Sequence, residues 1–442
     1  MAIKNNMQDS HFTSEVRNLI KRVNDHTIQR DSVLDRAIEF FKKSNEIKEN
    51  IGSFEQQITS LNLQSENFPF AKKNAAKDEI ETITATKEVY CYQLKAEGQI
   101  RHQHLKDVSY QLIDLCEGDN FEETLRKSAQ FLGTVQLISP IEGKYRASIN
   151  ERQAVLCLRL LDELILSGQV DEPYINKFLD GHSSDKYKGF CLVDNKQYKL
   201  FIEQVKLPLV MASLLQDMGN FHPDAQLILL GDSGTSDPYR TLELEERKAL
   251  LQISYREIQY YITEGLSELN YVGNSKDDKK DFIKNEKDKM VFIKRILKSA
   301  ISPKLGIGNL LKVPQIYTSI IMSTKSSYNY KVLPKVFNVL NLNAERGACQ
   351  QAVVDSLYKI TGMFPQGYGI SYIPKAPDNS DMDFYEYAVV SQFYPEIPEE
   401  PICRQATRNL AFISFGHDVV VAQQSNLHFH ETAKRFSRVS KK

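Results

Sequence analysis

The chemistry open to this chain is set by nine histidines, six cysteines and a few carboxylates in apolar surroundings. The most suggestive carboxylate is Asp217, which closes the apolar run LPLVMASLL within residues 207–231. A carboxylate at the end of a buried helix could bind a divalent cation and acidify a bound water. Holding two divalent cations, however, needs roughly six to eight His and Asp ligands from several helices. The histidines are His11, His26, His102, His104, His182, His222, His417, His428 and His430, and none lies between His222 and His417. A lone carboxylate cannot hold two metals, so Asp217 is expected to bond to the turn that follows it, or to a neighbouring Lys or Arg. His222 is expected to be a core or surface histidine. His102-x-His104 stands at i, i+2 on a helix, which turns the rings to different faces and argues against a shared metal. His428-Phe-His430 would share a face only in a strand. The segment Gly231-Asp-Ser-Gly234 lacks the Lys and the later Gly spacing of a phosphate loop. Cys91, Cys116, Cys157, Cys191, Cys349 and Cys403 are scattered singly, as thiols of a reducing cytoplasm and not as a disulfide or zinc framework. No catalytic residue, metal site or cofactor is expected.

The elements that must position these residues are mostly helical. Leu209, Met211, Ala212, Leu214 and Leu215 make residues 207–215 apolar on most sides, so this helix is surrounded by core. Pro208 suits its first turn and Gly219 its stop. Upstream, Ser32-x-x-Asp35 can cap a helix lined by Leu34, Ile38 and Phe41. Gly, Ser, Asn and Pro accumulate over residues 52–75, which predicts a loop or linker. A long helix is expected over about residues 79–115. Its second half places Leu105, Val108, Leu112 and Leu115 on an a/d seam, a short coiled coil or hairpin through which the chain would self-associate. Asn120-x-x-Glu123 opens a helix expected to close at Gly133, with a short strand at 134–138. Asn150-x-x-Gln153 opens a second, closing at Gly168. Further helices are expected over 172–179, 198–206 and 242–266. The charge run 275–290 is expected to be a solvated loop and helix face. Residues 385–393, 411–415 and 419–423 have strand composition, and the last dozen residues form a basic tail.

The sequence LLQDMGNFHP resembles the signature of the HD-GYP branch of the HD metal-dependent phosphohydrolases. In that family a buried helix ends in Leu-Leu-His-Asp-Ile-Gly-Lys and an Ile-Pro follows. Asp217, Gly219 and Pro223 stand where the family has them, whereas its His has become Gln216 and its Lys Asn220. The stretch VPQIYTSIIMSTKSSYNY is similar to a later family helix whose metal-ligand Asp aligns with Gln315. LYKITGMFPQGYGISYI is similar to the closing helix and its turn into a β-segment. The family's His-Pro ligand turn corresponds to Tyr255-Arg256-Glu257-Ile258, again without the His, and its Gly-Tyr-Pro region has no counterpart. Arg404-x-x-x-Arg408 resembles the arginine pair with which PilZ domains hold cyclic di-GMP, but the Asp-x-Ser-x-x-Gly partner is absent.

At 442 residues the chain has room for two or three domains. A net charge of −1 gives no electrostatic reason to expect nucleic acid or anionic membrane as a partner. No run reaches the ~18 apolar residues that span a bilayer, and the N-terminus has no apolar signal region, so a cytoplasmic location is expected. The predicted fold is mainly α: an N-terminal helical module over 1–118, an HD-like helical bundle over 119–365, a small β appendage over 366–425 and a basic tail over 426–442. The resemblance implies a degenerate, non-catalytic HD-GYP-like regulatory or scaffold protein in bacterial cyclic-di-GMP-related signalling. Its alternatives are a phosphodiesterase with substituted metal ligands and a sensor that binds the nucleotide without hydrolysing it.

Overall fold

The structure, a computed structural model, describes residues 9–24, 29–142, 149–231, 233–301, 303, 306–322, 329–406 and 418–430. In chain order the helices are α1 (His11–Asn24), α2 (Val33–Ser65), α3 (Phe70–Cys116), α4 (Phe121–Glu142) and α5 (Ile149–Leu166). Then come α6 (Pro173–Leu179), α7 (Tyr187–Phe190), α8 (Lys196–Phe201), α9 (Leu207–Leu215), α10 (Pro223–Leu230) and α11 (Leu244–Tyr260). The last four are α12 (Lys276–Ser299), α13 (Asn309–Ile321), α14 (Val336–Glu345) and α15 (Gln351–Thr361). Four strands follow: β1 (Gly369–Tyr372), β2 (Glu386–Val390), β3 (Ile402–Ala406) and β4 (Asp418–Val420). The fold is mainly helical with a small antiparallel sheet late in the sequence, as the composition predicts. Among the described residues no helix is long and apolar enough to cross a membrane.

Two compact units emerge, and each draws on separate parts of the chain. The first comprises Met1–Lys21, Val108–Leu214 and Val291–Lys442, the second Arg22–Asp107 and Leu215–Met290. The three consecutive modules expected from the sequence are therefore not the units of packing: the boundaries fall inside α1, α3, α9 and α12.

In the first unit α5 is the central element. Every residue from Glu151 to Ile165 is buried, and α4, α13 and α15 pack around it. The sheet is a meander in the order β1-β2-β3-β4, with Gly369 opposite Val389, Ala388 opposite Gln405 and Cys403 opposite Val419. Backbone bonds tie its loops to α15: Tyr394 N–H donates to Ile360 O at 2.8 Å, and Met363 N–H to Pro398 O at 2.8 Å. The Arg152 guanidinium links α4 to the strand approach, donating to Leu132 O at 2.9 Å and Gln366 O at 3.4 Å. The expected strand at 411–415 and the Arg408 of the arginine pair lie outside the described residues. Arg404 is exposed on β3.

Several local expectations are corrected. The linker predicted over 52–75 is helix except for the turn at 66–69. Ile51, Phe54, Ile58 and Leu61 recur at helical spacing, and that periodicity prevails over the Gly, Ser and Asn between them. The long helix is a continuous rod of 47 residues, which begins at Phe70 and not near 79. It runs antiparallel to α2, since Asn50 meets Tyr90 and Glu55 meets Lys87. The strand expected at 134–138 is the continuation of α4 through Gly133, because Leu132, Val135 and Ile138 are buried at three-residue spacing. The seam residues Leu105, Val108, Leu112 and Leu115 are 1%, 0%, 0% and 7% exposed, so they are core of the chain itself and offer no face to a second copy. The run at 275–290 is largely the exposed face of α12, but Glu286 and Lys289 are buried and paired with each other, and Lys106 lies 3.4 Å from Glu286.

Candidate functional site

The frame that carries the resemblance starts from α8, whose backbone widens into a π-turn at Ile202–Lys206 before α9. That turn lets the helix carry Pro208, which has no N–H to give to the preceding turn. The apolar run ends at Leu215, leaving Gln216 and Asp217 half-buried. A 3₁₀ turn, Met218–Phe221, follows, in which Asn220 N–H donates to Asp217 O at 3.1 Å. Gly219 has no positive φ to justify it; a Cβ there would lie 2.0 Å from Ser254 O of α11. Close approach of two backbones explains this glycine, not the end of a helix. Pro223 takes the first turn of α10, capped by His222, whose Nδ1 accepts from Asp224 N–H at 3.2 Å.

His222 is the core histidine of this turn, 2% exposed, with its ring edge-on to Phe41 at 5.7 Å. Its Nε2 lies 3.6 Å from Glu257 Oε2, and Arg256 Nε lies 2.5 Å from Glu257 Oε1. Burial lowers the imidazole pKa, against the pull of Glu257 and Asp224. Gln216, Asp217, Gly219, Asn220 and Pro223 belong to the second unit and Gln315, on α13, to the first. Gln315 Oε1 accepts from Lys312 Nζ at 3.4 Å. Among the described residues no group of three or more His, Cys, Asp or Glu side chains could hold a metal ion. Of the other described histidines, His102 and His104 make local contacts with backbone carbonyls. His102 Nδ1 meets Ser267 O at 2.8 Å and His104 Nε2 meets Arg22 O at 3.4 Å. His428 and His430 belong to a 3₁₀ turn and its cap, not to one face of a strand.

The densest polar chemistry lies in the first unit, at residues the motif search passed over. Arg159 and Asp162 of α5, Glu117 just after α3 and Lys206 before α9 form a buried cluster of two cations and two anions, none more than 7% exposed. The Arg159 guanidinium bridges Glu117 and Asp162, at 2.9 Å from Asp162 Oδ2. Lys206 Nζ donates to Glu117 Oε2 at 2.9 Å and to Tyr198 OH at 2.9 Å, and stands 3.2 Å from Asp162 Oδ1. Tyr198 OH donates to Glu117 Oε2 at 2.8 Å, and Tyr187 OH to Asp162 Oδ1 at 2.6 Å. Burial pushes the Glu117 carboxyl up, but Arg159 and Lys206 more than offset this and hold it at about 2. Burial likewise works against the Lys206 charge, and Asp162 and Glu117 reverse it, leaving the ammonium pKa raised. Burial and then the adjacent carboxylates raise both tyrosines well above their ordinary value. The Cys116 and Cys191 thiols are pushed up to about 12, chiefly by burial, so neither is a nucleophile.

A cleft of about 570 Å³ opens beside this cluster, with Glu117 and Tyr198 in its wall. Asp114, Asp119 and Glu203 add carboxylates to the lining, against Lys127 and Lys199. Glu117 is held far below its ordinary value and Arg159 and Lys206 above theirs, and the charges of the cluster are spent on one another. The arrangement therefore clamps α5, α8 and the end of α3 together. Its signal was present in the sequence: Arg159 and Asp162 interrupt AVLCLRLLDELIL, a helix too apolar to turn either to water.

No protein-family model, curated protein or solved structure matches the chain with significance.

Proposed function

We propose that this chain is a non-catalytic, HD-GYP-like regulatory or scaffold protein that works through protein contacts, in the bacterial cytoplasm and in cyclic-di-GMP-related signalling. The observation that carries the reading is the local frame around Asp217. A buried helix ends in Leu-Leu-Gln216-Asp217, a tight turn passes Gly219 against a neighbouring helix, and Pro223 opens the next helix. Within that frame an amide stands where the family has its imidazole, and Gln315 stands where it has a carboxylate. An amide oxygen is a weak ligand, and loss of the carboxylate removes an anion that would offset a cation's charge.

The sensor alternative is disfavoured at the cleft beside Glu117. Asp114, Asp119 and Glu203 face it with two lysines, so a ligand with two phosphodiester charges would enter against net negative charge. Calorimetric titration of the purified chain with cyclic di-GMP separates the readings. No heat of binding is expected, together with recovery of a stoichiometric protein partner from native cells. Saturable micromolar binding of the nucleotide would replace the scaffold reading with the sensor.

A further inference from the structure

The paired helices α2 and α3 extend through a stretch that covers almost nothing of itself. From Asn45 to Glu97, Ala76 is the only described side chain that is buried. Large apolar groups stand in the open there: Leu63 is 63% exposed, Phe70 81%, Val89 59% and Tyr92 75%. Two helices held by a half-covered seam are marginal in water, and further apolar cover is what such a pair lacks.

The outer face of α3 carries a pattern that says what would cover it. Phe70, Lys73, Lys77, Glu81, Glu88 and Tyr92 recur at three- and four-residue steps, or multiples of them, so they share one stripe along the rod, and all six are exposed. The stripe is aromatic at both ends, basic in its first half and acidic in its second. Laid antiparallel on a copy of itself, it is self-complementary. Phe70 of one copy then meets Tyr92 of the other, and Lys73 meets Glu88. Lys77, which within the chain is only loosely paired with Glu81 at 3.9 Å, reaches the other copy's Glu81 one turn away. A parallel alignment would stack all four charged positions on like charges, whereas the antiparallel one brings only Glu81 near its own copy, with the Lys77 of each copy one turn away. We propose that this face of α3 is a self-association surface, on which a second copy of the chain docks antiparallel about a twofold axis near Glu81. The proposal stands on this face alone and does not depend on the family resemblance.

Sedimentation equilibrium on the full chain, with charge-swapped variants, tests it. A concentration-dependent dimer that weakens with salt is expected for the wild type. Lys73→Glu with Lys77→Glu, and separately Glu81→Lys with Glu88→Lys, should each weaken dimerisation about tenfold or more through like-charge contact. Mixing the two variants should restore a heterodimer, since one stripe is then all acidic and the other all basic. These side chains are exposed, so an unchanged circular dichroism spectrum confirms that each variant is folded. A wild type that stays monomeric into the sub-millimolar range overturns the proposal. So does a dimer indifferent to both variants, or a mixture that fails to recover association.

Discussion

At the scale of residues, the buried charges govern what the protein tolerates. Replacing Lys206 by Met removes one cation from a cluster in which Glu117 and Asp162 depend on two. The two buried anions are left with Arg159 as their one remaining cation in the cluster, and a loss of about 3–5 kcal/mol is expected in urea unfolding. The same cluster sets an acid limit. Glu117 ionises at about 2 in the folded protein and at about 4.3 in an unfolded chain. Its depressed pKa therefore contributes stability that is fully present above the unfolded value and lost as pH falls from there toward about 2. A wild-type Tm that declines through this window, with a shallower decline in Glu117→Gln, is the expected result. Gly219→Ala forces a methyl against Ser254 O and should cost about 1–3 kcal/mol or more, measured by the same unfolding curve. The sequence reads Gly219 as a helix stop and misses the close approach that requires it, because the backbone it touches lies on α11, far along the chain. Arg159 and Asp162 were legible as buried charges; their partners Glu117 and Lys206 were not, since nothing local distinguishes them from surface residues.

At the scale of elements, strong apolar periodicity was readable and weak periodicity was not. The cap at Ser32 holds, with its Oγ accepting from Asp35 N–H at 3.0 Å, and α5 runs where a helix was expected between Asn150 and Gly168. The outer half of α2 was misread because Gly52, Ser53, Ser60 and Asn62 carry the local signal of a loop. Its helical state has a direct consequence. Gly52 lies inside α2 with nothing within 4 Å of an added Cβ. Gly52→Ala should therefore raise stability by about 0.5–1 kcal/mol by restricting the unfolded chain, seen as a higher Tm. A loop at this position would leave Tm unchanged.

At the scale of the whole molecule, the chain builds two units by returning to each, an arrangement that no local reading of the sequence could supply. The sheet belongs to the first unit, anchored by the backbone bonds of Tyr394 and Pro398 and by Tyr394 OH on Glu163, at 3.0 Å. Residues 366–425 expressed alone should consequently remain unfolded by circular dichroism, having lost the helices against which four short strands are held. The proposed scaffold role turns on Gln216 and Gln315, which stand where the resemblance places metal ligands. The most direct measurement is incubation of the purified chain with cyclic di-GMP and manganese, iron or magnesium in turn, with metal content assayed alongside. No tightly held metal and no linear dinucleotide are expected, and Gln216→Ala should change neither. Stoichiometric metal retained by the wild type, together with metal-dependent release of linear dinucleotide, would contradict the account.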